Sequence, residues 1–69
     1  MNKIREVLKK KGIRQRWLAE RLGKSCSVIN DYCTNRRQPR LDVLIQLSQL
    51  IEVKLVSLID EKYLEDYER

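Results

Sequence analysis

Three residues constrain how this chain can fold, because they are the strongest helix breakers it has. Gly12, Gly23 and Pro39 are its two glycines and its single proline in 69 residues. They cut the sequence into short pieces, each with apolar side chains at helical spacing. No alternating apolar–polar run and no Asn-Gly hairpin signal occurs. No strand is therefore predicted, and the fold class is all-α.

The first piece places Ile4, Val7 and Leu8 at i, i+3 and i+4, with Asn2 as its cap and Gly12 closing it. A second helix is expected from about Arg14 to Leu22, with Leu18, Ala19 and Leu22 facing inward and Gly23 ending it. Ser25 then caps a third helix, Cys26 to about Cys33. The intervening turn, Gly23 to Ser25, is so short that the two helices must cross steeply, the helix-turn-helix geometry. Ala19, being small, lets them come close. After a loop from Thr34 to Arg40, a fourth helix is expected from about Leu41 to Ile51. Its apolar residues cover more than one face, so it is either the central helix or one that also meets a partner. Asp42 in its first turn suits the helix dipole. A fifth helix is expected from near Lys54 through Leu55, Leu58 and Ile59, continuing through Tyr63 and Tyr67. Residues 1–60 then form one domain, and residues 61–69 an acidic tail that extends helix five.

A chain of this length is one small domain near the lower limit for folding without disulfides or metals. Phenylalanine is absent, so the core has to come from Leu, Ile and Val. No apolar run approaches the roughly 18 residues of a membrane span. The basic N-terminal stretch has no uninterrupted apolar block, so it does not read as a secretory signal. A cytoplasmic location with free thiols is expected. Charge is unevenly spread: residues 1–40 carry net +9 and residues 41–69 net −4. An ordinary solvated surface can be basic, but here the excess lies in the half that holds the turn signals. That half has the electrostatics of a phosphate-binding face.

At about 100° per residue, Val28, Ile29 and Tyr32 share the inner side of the third helix. Cys26, Ser27, Asn30 and Asp31 take the opposite arc, and Cys33 falls at the boundary. Short polar side chains suit close approach to base edges: Ser to either partner type, Asn to adenine, an acid to cytosine. The same residues would also make a plain soluble face. Arg36 and Arg37 just behind the helix favour the nucleic-acid reading.

The two cysteines are seven residues apart, about 10.5 Å of helical rise, too far for an intrachain disulfide. With no histidine in the chain, a zinc site would need a second chain and a Cys–His catalytic pair is ruled out. No cofactor, no metal and no enzymatic activity are expected.

The run Gln15-Arg16-Trp17-Leu18-Ala19-Glu20-Arg21-Leu22-Gly23-Lys24-Ser25 is followed by Ile29, by Arg37-Gln38-Pro39, by Leu41, Leu44 and Leu47, and by Val53 and Leu58-Ile59. Over roughly residues 2–60 it resembles the phage-repressor-like (XRE, Cro-type) helix-turn-helix family. The resemblance implies a five-helix, lambda-repressor-like DNA-binding domain whose third helix reads the major groove, usually as a dimer on a palindromic site. It implies that Gln15 binds phosphate at a helix N-terminus. It places Ser25, Cys26, Ser27, Asn30 and Asp31 at base-reading positions and Arg36 and Arg37 in a phosphate-binding loop. Charge and place add Arg14, Arg16, Lys24 and Arg40 as phosphate contacts, each equally readable as an ordinary exposed cation. Four positions depart from the family pattern. Lys24 stands for an apolar residue, Cys26 for a long polar reader, Arg40 for a small cap, and Asp31 faces phosphate with the wrong sign.

One such module makes few base contacts, so a homodimer on double-stranded DNA is expected. Its interface would use Leu55, Ile59, Tyr63, Leu64 and Tyr67, unless the tyrosines fold back onto their own domain or fray. No membrane partner and no small-molecule effector are evident. The function expected is a sequence-specific transcriptional regulator, most simply a repressor. The alternative is a helical protein-interaction module, an adaptor or antitoxin-type subunit, with DNA contact secondary.

Overall fold

Four α-helices and one 3₁₀ turn follow the punctuation: α1 (Ile4–Lys11), α2 (Gln15–Leu22), α3 (Cys26–Cys33), α4 (Leu41–Leu50) and the 3₁₀ turn Leu55–Leu58. This computed structural model describes residues 2–60. Among the described residues there is no strand, only an isolated antiparallel bridge between Asn2 and Ile59.

All four helices stop in the same way. A left-handed residue follows each within two positions: Gly12 (φ 68°) and Gly23 (φ 65°) directly after α1 and α2, Asn35 (φ 63°) and Glu52 (φ 56°) one residue further past α3 and α4. The N–H that follows then turns back to a carbonyl of the last helical turn. Ile13 donates to Leu8, Lys24 to Ala19 and Arg36 to Asp31, each at 2.9 Å, and Val53 donates to Ser48 at 3.0 Å. Carbonyls that would otherwise lack partners are satisfied, and the chain reverses in one residue. Glycine adopts this backbone freely and asparagine tolerates it, but a glutamate does not. Glu52 is exposed, so Glu52→Gly relieves strain without loss of packing. We expect a gain of about 0.5–1 kcal/mol after the unfolded-chain entropy of glycine is subtracted. A thermal melt should then rise by several degrees; a fall would mean that the glutamate side chain stabilises the native turn.

The core joins Ile4 and Leu8 of α1, Leu18 and Ala19 of α2, Ile29, Tyr32 and Cys33 of α3 and Val43, Leu44 and Leu47 of α4, together with Ile51, Leu58 and Ile59. Burying each Leu- or Ile-sized side chain contributes about 1.5–3 kcal/mol, whereas a well-placed charge at a helix end contributes about 0.3–1 kcal/mol. Apolar packing therefore decides this fold, and the surface cations are left available for function. α2 packs most extensively against α3, with Ala19 only 2% exposed between them. The fourth helix buries Val43, Leu44, Leu47 and Ser48, yet leaves Leu41 and Ile45 exposed. It is thus buried on one face and uncovered on another.

Three expectations are corrected. The fifth helix is a single 3₁₀ turn that does not run on through Ile59, whose backbone is extended (φ −122°, ψ 132°). The Leu58 carbonyl, which a continuing helix would have used, accepts the Lys3 N–H at 2.8 Å instead. Cys33 is not at the boundary but in the core, 4% exposed. It lies one turn beyond Ile29, so it shares that residue's inner side. Ile59 cannot serve a dimer interface, because its side chain is 3% exposed inside its own domain. The tail positions Tyr63, Leu64 and Tyr67 lie outside the described residues.

Candidate nucleic-acid interface

The turn that joins α2 to α3 follows from two residues. Gly23 supplies the left-handed step, and Ser25 starts the next helix by accepting the Val28 N–H on its Oγ at 3.2 Å. A hydroxyl that accepts in this way still has its own proton to donate outward. The inner side of α3 is anchored by Ile29 at 0% and Tyr32 at 6% exposure, with Val28 half-buried. That fixes the rotation of the helix. Ser25, Cys26, Ser27 and Asn30 are left exposed, and Asp31 is half-buried.

The basic loop is fastened directly to this helix. The Asp31 carbonyl accepts the N–H groups of both Arg36 (2.9 Å) and Arg37 (3.2 Å). Thr34 Oγ1 donates to the carbonyl of Asn30 at 2.9 Å, closing the same end of the helix. The side chains of Arg36 and Arg37 stay exposed. A contact that needs the helix face and the loop together therefore meets a preformed surface.

Three amide side chains, Asn2, Asn35 and Gln38, hold this loop in place. Asn2 Nδ2 donates to the Tyr32 carbonyl at 2.8 Å and to Gln38 Oε1 at 3.0 Å. Gln38 Nε2 donates to Asn35 Oδ1 at 3.1 Å, and the same oxygen accepts the Asn2 N–H at 2.9 Å. Asn2 Oδ1 in turn accepts the Ile4 N–H at 3.1 Å. Asn2 thus does not sit at the cap position of α1, which belongs to Lys3; it joins the first helix to the arginine loop. Asn35 carried a legible signal: it is the non-glycine residue best suited to a left-handed step, two positions past the helix.

The remaining cations differ in how free they are. Arg14 precedes α2, whose N-terminus has no side-chain cap, so its first N–H groups are open to an anion. Gln15, the first residue of that helix, is half-buried, as is Lys24 in the turn. Arg16 lies 3.9 Å from Glu20 and Arg40 4.0 Å from Asp42, both pairs largely exposed. Such pairs are weak and give way readily to a phosphate. The Arg21 guanidinium stacks 5.0 Å over the Trp17 ring.

The two cysteines have opposite surroundings: Cys26 is exposed and Cys33 buried, both free. Burial pushes the Cys33 thiol above its usual range, and the positive charge of Arg5 only partly opposes this. A thiol held neutral and out of solvent reacts slowly. One equivalent of a thiol reagent per chain should therefore react quickly, at Cys26, and the second only on unfolding. Two fast equivalents in the native state would contradict the burial of Cys33. Among the described residues, no group of three or more potential ligands is gathered for a metal ion, and no helix is long and apolar enough to cross a membrane.

A family profile described as helix-turn-helix matches residues 4–58. Among solved structures, the chain is similar to a candidate DNA-binding protein from Bacteroides fragilis. The two are 42% identical, with a TM-score of 0.86, over 87% of this chain and 97% of that one. No curated protein matches the chain.

Proposed function

Because the chain belongs to the XRE-type helix-turn-helix family, we propose that it is a sequence-specific DNA-binding transcriptional regulator, acting as a dimeric repressor on a palindromic site. The observation that carries this reading is the joining of two surfaces in one rigid unit. The exposed polar arc of α3 and the arginines of the following loop are tied together at the Asp31 carbonyl. In this reading Ser25, Cys26, Ser27, Asn30 and Asp31 face base edges. Gln15, Arg14, Arg16, Lys24, Arg36, Arg37 and Arg40 neutralise phosphates. Asp31 holds the loop through its backbone carbonyl, which leaves its half-buried carboxylate for reading cytosine or for orienting a nearby arginine.

The dimer would be built from Leu55 and the tail residues Tyr63, Leu64 and Tyr67. The uncovered Ile45 and Val56, 41% and 57% exposed, favour some protein partner. The simplest partner is a second copy, since two half-sites then share one symmetric interface. A different protein on the same surface is the adaptor or antitoxin-type reading.

Asn30 gives the sharpest test. Asn30→Ala should leave the salt dependence of duplex binding unchanged and relax preference at one base pair per half-site, by about 1–3 kcal/mol. Binding assays on a set of single-base operator variants would show it. An unaltered preference profile would remove Asn30 from the reading face.

A further inference from the structure

Arg5 has no part in the surfaces described so far. It is exposed, and among the described residues its guanidinium takes part in neither of the ion pairs found nor in the one cation–π contact. Two grooves meet at it. One runs past Arg5, Lys9 and Ile13 to Gln15, the first residue of α2. The other runs from Arg5 past Cys33 and Thr34 to Asn35, the residue that opens the arginine loop. Arg5 is the wall that the two grooves share. Its charge is close enough to act on the Cys33 thiol at the end of α3.

This placement matters because the two grooves lead to the two proposed phosphate clusters. One cluster lies at the uncapped start of α2 and the other in the loop after α3. Each strand of duplex DNA carries a charge about every 3.4 Å of axis. A strand spanning both clusters therefore presents further phosphates between them, over Arg5. We propose that Arg5 is a phosphate-binding residue contributed by α1, holding the phosphodiester backbone of duplex DNA between Gln15 and the arginine loop. The proposal rests on the DNA-binding reading above. A guanidinium suits the place, since it grips two phosphate oxygens at once.

Lys10 provides the control. It is on the same helix, also exposed, turned about 140° from Arg5 at about 100° per residue, and it lines neither groove. Arg5→Gln and Lys10→Gln remove the same net charge, so any difference between them reports contact rather than long-range attraction. Binding to a random-sequence duplex is measured across a salt series for both variants, for Arg5→Lys and for the unaltered chain. Arg5→Gln should lower the slope of log affinity against log salt by about 0.9, which is about eightfold in affinity at ~0.1 M salt. Arg5→Lys should keep the slope, and Lys10→Gln should leave it near that of the unaltered chain. Equal slopes for Arg5→Gln and Lys10→Gln, with the unaltered chain binding normally, would overturn the assignment of Arg5 alone. An unaltered chain with no salt-dependent binding would overturn the DNA-binding reading as well. Unchanged melting temperatures for both variants would confirm that the slopes report contact and not unfolding.

Discussion

Replacing both loop arginines, Arg36→Ala with Arg37→Ala, should weaken binding to every duplex by about 60-fold at ~0.1 M salt. Each lost phosphate contact removes about 0.9 from the slope of log affinity against log salt, so two contacts amount to about 1.8 decades between ~1 M and ~0.1 M salt. The loss should be uniform across sequences, because phosphates position a protein without identifying bases. Folding should be unaffected. The loop is held through the backbone N–H groups of Arg36 and Arg37, which alanine retains, and both side chains are exposed. Titrations on two unrelated duplexes would check both points. A loss confined to one duplex would mean that an arginine reads a base.

Asn2→Ala should be the most destabilising change at a single polar residue. Its side chain accepts from Ile4 and donates to Tyr32 and Gln38, at 3.1, 2.8 and 3.0 Å. Intramolecular hydrogen bonds contribute about 0.5–1.5 kcal/mol each, and one of these three is exposed, so the loss should be about 2 kcal/mol. In a domain of this size that lowers the melting temperature by roughly 8–16 °C. Asn2→Asp separates the roles. It keeps the acceptor for Ile4 and loses both donors, so it should fall between the parent and the alanine variant. Two variants that melt together would show that the hydrogen bond from Ile4 contributes nothing. Two that melt with the parent would show that the amide cluster does not hold the loop.

Local signals were legible and long-range ones were not. The bounds of α3 and its Ser25 cap could be read because capping chemistry and apolar period agree over Ser25 to Cys33. The stops at Gly12 and Gly23 were equally plain. Asn35 and Glu52 do the same work without a glycine, and of the two only the asparagine carries a local signal for it. Cys33 and Val28 lie at similar angles, about 70°, on either side of the midline between Ile29 and Tyr32. Only the packing of α1 against that end of α3 decides that the cysteine is the one buried. The fifth helix, expected in the right place but ending earlier than its pattern suggests, has the same origin. Leu58 and Ile59 fit a helical pattern, but Lys3 takes the Leu58 carbonyl, and nothing in the local sequence records a partner 55 residues away.

For the candidate site, the residue types and their helical arc could be read from the chain, and the scaffold behind them could not. The short-sided face Cys26, Ser27 and Asn30 gains its rigidity from Ile29 and Tyr32 beneath it and from the Asp31 and Asn2 hydrogen bonds behind it. A face with little reach benefits from being held still, since a preorganised surface loses less entropy on binding.

The most direct measurement is selection of bound duplexes from a random-sequence pool by the intact chain, repeated at two salt concentrations. Enrichment of one palindromic sequence, with affinity falling steeply between the two concentrations, is the result expected of a dimer that reads bases through α3 and holds phosphates through its arginines. A bound pool as random as the starting pool, or binding indifferent to salt, would contradict it.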